Sequence, residues 1–112
     1  MMHNWSKSLQ VALTVCDKNG VIVEMNERSA KYFADQGGWS LLGRSLLDCH
    51  PEPARSQIKD MLVNPRSNTY IVEKRGARHL IHQSPWYDNG QLGGYVEFIV
   101  EVGDEIPIKV RG

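Results

Sequence analysis

The 112-residue sequence has no apolar run approaching the ~20 residues that cross a bilayer, so no transmembrane helix is expected. Residues 1–10 carry His, Asn, Lys and Ser and no hydrophobic h-region, so no secretory signal is read there. Charge of either sign is not in excess: thirteen Lys and Arg balance thirteen Asp and Glu. That balance leaves no electrostatic footprint for nucleic acid or an anionic membrane, and neither partner is expected. Cysteine is scarce. Cys16 and Cys49 are too few for a disulfide framework, and reduced thiols in a cytoplasmic protein are the simpler expectation. There is no internal repeat, no low-complexity stretch, no Gly-x-Ser-x-Gly elbow and no phosphate-binding glycine loop, so no enzyme is expected. What is present, 41% hydrophobic and 23% charged residues, is ordinary for one soluble globular domain of this length.

Hydrophobic patterning orders the chain. Residues 10–16 and 21–25 are rich in strand formers, and Asp17-Lys18-Asn19-Gly20 between them reads as a hairpin turn. Asn26 is placed as a helix N-cap with Glu27 in the first turn. Ala30, Phe33 and Ala34 give one apolar stripe, and Gly37-Gly38 stops this helix, which is expected over 27–36. Leucines around Gly43 suggest short helical turns over 39–50. Pro51 suits the first turn of a new helix, with Asp48 upstream to help cap it. Ala54, Ile58, Met61 and Leu62 share one face of that helix, which ends at Asn64-Pro65. Three strands follow, over 69–74, 78–87 and 92–102, with Asp88-Asn89-Gly90 as the strongest turn signal. Two strands, short helices and three antiparallel strands make an α+β chain. A five-stranded antiparallel sheet with short helices packed on one face is expected.

This order resembles a PAS domain over about residues 8–103. The resemblance is carried by Val15-Cys16-Asp17-Lys18-Asn19-Gly20-Val21-Ile22, by Asn26 with Tyr32-Phe33, by Leu42-Gly43-Arg44-Ser45, and by Asp88-x-Gly90 with Gly93. Glu101-Val102-Gly103 stands where many members close on Asp-Ile-Thr. Asp48-Cys49-His50-Pro51 is similar to a subgroup with a His-Pro pair entering its long helix. On this reading residues 1–8 form an N-terminal cap segment, 9–103 the domain, and 104–112 a tail or linker. The resemblance implies a sensory or regulatory module that holds a small ligand between helices and sheet and signals through a homodimer. The output domain would be a kinase, a cyclase or a transcription domain, in the same chain or in a partner.

The residues narrow the chemistry. A flavin adduct of the light-oxygen-voltage type needs its cysteine soon after the Gly-Arg turn; Cys49 arrives too late for that bond. Haem remains an alternative, with His50 or Cys49 as the iron ligand. His79 and His82 are three apart on a strand, hence on opposite faces, and cannot chelate one metal ion together. A two-residue turn at Asn89-Gly90 sets Gln83 opposite Val96, Ile81 opposite Phe98 and His79 opposite Val100. The ligand cavity is then expected among Phe33, Leu46, Ile58, Met61, Leu62, Ile81, Gln83, Phe98 and Val100. The other face, with Leu80, His82, Tyr95, Glu97 and Ile99, is expected to meet a short N-terminal helix bearing Trp5 and Leu9, from the same chain or its twin. The alternative is a dimerisation module whose core is completely filled, the default for protein interiors. A one-residue slip of the strands would reverse every one of these assignments.

Overall fold

The computed structural model describes residues 3–112. The chain builds a five-stranded antiparallel sheet in the order β2-β1-β5-β4-β3, with the helices on one face. The strands are β1 (Ala12–Asp17), β2 (Ile22–Met25), β3 (Asn68–Lys74), β4 (Ala77–Asp88) and β5 (Gln91–Val102). The helices are α1 (Asn4–Lys7), α2 (Glu27–Tyr32), α3 (Leu46–Cys49) and α4 (Ala54–Val63). The cap segment expected over 1–8 thus contains α1, and its first two residues lie outside the described ones.

Local chemistry explains each joint. In the β1–β2 turn the Asp17 side chain accepts from the backbone N–H of Asn19 and Val21, at 2.9 and 3.0 Å. Gly20 takes φ +81°, which a residue without a Cβ adopts at little cost. The Gly20 carbonyl then accepts from Leu46 N–H at 2.9 Å, and Arg44 and Gly43 exchange bonds with Ile22. The Gly-Arg-Ser turn is therefore stitched to the hairpin, and it sets where α3 begins. Asn26 is fully buried and makes four side-chain bonds. Its Oδ1 accepts from Leu13 N–H and from Ser29 N–H, the latter as the α2 cap; its Nδ2 donates to the carbonyls of Ser6 and Val11. One side chain so ties α1, β1 and α2 together.

Two helix boundaries differ from expectation. The helix expected over 27–36 ends at Tyr32 and tightens into 3-10 turns at Ala34–Gln36 and Gly38–Leu41. Gly37 and Gly38 both take positive φ, and Gly38 N–H reaches back to the Phe33 carbonyl at 2.9 Å, which turns the chain before another α-helical turn can form. The long helix begins at Ala54 rather than near Pro51, because Glu52 precedes Pro53 and is disfavoured from helical backbone angles. Asp48 sits inside α3 and does not cap α4, whose N-cap position is Pro53. Glu52 serves instead: its carboxylate accepts from the N–H and the hydroxyl of Ser56, both at 2.9 Å.

The largest correction concerns register. The β4–β5 hairpin pairs Tyr87 with Leu92 as expected, but a bulge between Trp86 and Tyr87 shifts everything beyond it by one residue. Ser84 faces Val96, His82 faces Phe98 and Leu80 faces Val100. Ile81 lies opposite Ile99, and Gln83 opposite Glu97. The extra residue is accommodated at Gly93-Gly94. The Trp86 ring lies directly over Gly93, and Gly94, at φ +155°, passes so close to β1 that an added Cβ would sit 1.9 Å from the Cys16 carbonyl oxygen. Tyr95, Glu97 and Ile99 consequently face inward, while Val96, Phe98 and Val100 face outward beside Leu80 and His82. The buried core is split by this arrangement. One cluster joins Ile22, Met25, Ala30 and Leu41; another joins Ala12, Ile81 and Ile99.

Candidate functional site

Between these two clusters the helices stand off the sheet and leave a cavity of about 610 Å³. Its helical wall includes Phe33 after α2, Leu46 of α3, and Ile58, Met61 and Leu62 of α4. Its sheet wall includes Ile81 and Gln83 of β4. All seven were expected there from the sequence. Phe98 and Val100 were also expected, and the bulge turns them to the opposite face. Tyr95 and Ile99, expected on the outer face, are buried on the cavity side. Cys49 and His50 both lie on the wall.

Of the polar floor of the cavity, sequence reasoning named only Gln83. Asn68, Gln83, Glu97 and Thr14 are cross-strand neighbours on β3, β4, β5 and β1, and form one row across the sheet. Asn68 Nδ2 donates to Gln83 Oε1 at 3.2 Å, and Gln83 Nε2 donates to Glu97 Oε2 at 2.8 Å. The first bond fixes which way the Gln83 amide points, and so presents its N–H to the carboxylate. Thr14 completes the row and is hydrogen-bonded to Ser29 of α2. Two tyrosines, Tyr32 and Tyr70, join the lining from α2 and β3.

Burial pushes the Glu97 carboxyl above the ordinary range; the Gln83 bond and the attraction of His50 pull the other way without cancelling it. The same carboxylate, after burial, pushes up the hydroxyls of Tyr32 and Tyr70. The Cys16 thiol is likewise raised, by burial first and then by Asp17 and Glu97, which makes it a poor nucleophile. His50 donates through Nδ1 to the Leu46 carbonyl at 2.7 Å, because a carbonyl can only accept. That bond leaves Nε2 as its remaining polar atom. The roof is anchored by Tyr95, whose hydroxyl donates to the Met61 carbonyl at 2.6 Å and accepts from Arg66 N–H at 3.1 Å. Among the described residues no group of three or more His, Cys, Asp or Glu is disposed to hold a metal ion.

The outer face of the sheet presents Leu80, His82, Val96, Phe98 and Val100, with Ile71 and Trp86 exposed at its margin. His82 Nδ1 shares a 2.7 Å hydrogen bond with Thr69 and its ring lies beside Phe98. Trp5 is two-thirds exposed, at 67%, and Leu9 is exposed also. Among the described residues no helix is long and apolar enough to cross a membrane.

The PAS fold family matches residues 6–106, and the chain belongs to it. It is thereby a sensory, signal-transduction type of module, a class generally not catalytic. No curated protein sequence matches the chain. Among solved structures, the PAS domain of the histidine kinase ThkA is 26% identical, with a TM-score of 0.63 over 80% of this chain and 96% of that one. The Aer2 receptor of Vibrio cholerae, described as a dual PAS-haem oxygen sensor, is 19% identical, with a TM-score of 0.61 over 83% of this chain and 95% of that one. The VqmA dimer of Vibrio cholerae, a DNA-binding receptor, is 18% identical, with a TM-score of 0.66 over 89% of this chain and 51% of that one. The expectation of no nucleic-acid partner concerns this chain alone. That expectation rests on this chain's balanced charge, while the DNA binding belongs to VqmA, of which this chain spans about half.

Proposed function

We propose that this PAS domain is a cytoplasmic, non-enzymatic sensor that takes a small organic ligand into the cavity and signals occupancy through a homodimer to an output domain. One observation carries the reading: the space between helices and sheet is not filled. A volume of about 610 Å³ falls within the range of small-molecule sites, and its walls combine apolar side chains with a few converging polar groups. That weighs against the alternative of a dimerisation module with a packed core. The apolar outer face, with Leu80, Phe98 and Val100, supports pairing of two copies there.

Native mass spectrometry and an absorption spectrum on one freshly purified sample test the proposal. The expected result is a dimer carrying extra mass per chain, with a clear spectrum. A Soret band that weakens in His50→Ala would assign the site to haem instead. A bare monomer whose melting temperature no small molecule raises would overturn both ligand binding and dimer signalling.

A further inference from the structure

The polar row on the cavity floor holds a carboxylate that forms no ion pair among the described residues. Glu97 spends one carboxylate oxygen on Gln83, and its other oxygen accepts no hydrogen bond among the described residues. The groups that face it come from every surrounding element. Cys16 of β1, Tyr32 of α2, Tyr70 of β3 and Gln83 of β4 are neutral or can only become negative. The residues of α4 on the wall, Ile58, Met61 and Leu62, are apolar. Two groups on the cavity wall can carry positive charge: His50, whose Nδ1 is already committed to the Leu46 carbonyl, and Arg44, which is neither hydrogen-bonded nor ion-paired to Glu97 among the described residues. A carboxylate in such surroundings costs free energy unless a donor arrives from outside the chain.

The geometry points to a ligand that is a small planar organic cation, an amidinium, guanidinium or protonated amino-heterocycle on an apolar frame, whose N–H donors meet Glu97. The inference rests on the proposal that the cavity takes a ligand, and deepens it. Asn68 and Gln83 act as positioning residues: Asn68 orients the Gln83 amide, and that amide holds one carboxylate oxygen so that the other points to the ligand. The apolar frame of the ligand would lie against Ile58, Met61 and Ile81. Phosphate-like or carboxylate groups are disfavoured at the floor, where Glu97 would repel them; Arg44 on the wall is the group that would have to hold them instead, and benzoate binding would reveal it.

Three probes of one shape and three charges decide it: benzamidine, acetophenone and benzoate, titrated calorimetrically against the dimer or monomer as purified. Benzamidine is expected to bind at least tenfold more tightly than acetophenone, and benzoate not measurably. Benzamidine affinity should fall as the pH is lowered and Glu97 takes up a proton, starting above the pH at which an exposed carboxylate would. Glu97→Gln, which keeps size and an acceptor for Gln83, should lose at least tenfold for benzamidine and leave acetophenone unchanged. Its unaltered circular dichroism would show that the fold is kept. If acetophenone or benzoate binds as tightly as benzamidine, or Glu97→Gln binds benzamidine like the native chain, the cationic assignment is wrong and the ligand-binding proposal survives. If none of the three binds at millimolar concentration, both readings fall.

Discussion

Replacing Asn26 tests how much of the domain hangs on one buried amide. Alanine at this position removes an N-cap, worth ~1 kcal/mol. It also strands the Leu13 N–H and the carbonyls of Ser6 and Val11, which now bond to the Asn26 side chain at 3.0, 2.9 and 2.8 Å. Each stranded buried group costs at least ~1 kcal/mol. A loss of about 4 kcal/mol is expected, a large share of the ~5–15 kcal/mol that holds a domain of this kind. With an unfolding entropy of ~2.1 cal/mol/K per residue, the melting temperature should drop by roughly 15 °C. Thermal and urea unfolding followed by far-ultraviolet circular dichroism measure this directly. Asn26→Asp sharpens the test. It keeps both accepted bonds but sets a carboxylate against two carbonyl oxygens, so its folded-state pKa is raised above the unfolded value. Its stability should therefore be best in acid and decline as pH rises through the folded pKa. If Asn26→Ala costs less than ~1 kcal/mol, or Asn26→Asp shows no such decline relative to the native chain, the amide is not the tie described.

The remaining predictions are simpler. Glu97→Gln should melt higher than the native chain at pH 8, because the folded-state pKa of Glu97 is raised and the stability it withholds is that of its ionised form. The difference should vanish below the ordinary carboxylate range, and an unchanged gap at pH 3.5 would refute the cause. Gly94→Ala should lose more than ~3 kcal/mol or fail to fold, since its Cβ would collide with the Cys16 carbonyl on β1; near-native melting would refute the close approach. Tyr95→Phe should cost about 1–2 kcal/mol and speed hydrogen exchange at the Arg66 amide, which the hydroxyl now holds. In thiol titration of the native chain, Cys49 should react first and buried Cys16 only on unfolding; equal rates would count against that burial.

Much of the fold was legible because turns and caps act locally. Asp17, Gly20 and Asn26 each do in the structure what their side-chain chemistry dictates, and Ile58, Met61 and Leu62 reach the cavity through helical spacing alone. Of the cavity floor only Gln83 was legible, and the reason is a single extra residue. Counting back from the Asn89-Gly90 turn assumes an unbroken ladder, and the bulge at Trp86 breaks it. Glycines within a strand are the available signal for such a break, and Gly93-Gly94 supplied it. The same slip hid Glu97, which the unbroken register sets outward with Tyr95 and Ile99 and which the bulge turns into the cavity with them. The helix starting near Pro51 was misplaced for a related reason: Pro53, two residues later, imposes a stricter limit.

Strand β5 carries both the cavity face and the outer face of the sheet. Tyr95, Glu97 and Ile99 point into the cavity, and Val96, Phe98 and Val100 point away from it. Inside and outside are thus separated by one peptide unit and no intervening layer. A tilt of β5 that follows the Glu97 carboxylate toward an occupant must tilt Phe98 with it, as the two ends of a rocker move together. On the proposed function, occupancy would reach the exterior through this one strand, without a chain of relays. It also follows that β5 cannot be tuned for one surface in isolation: each change that reshapes the cavity from this strand is felt on its reverse.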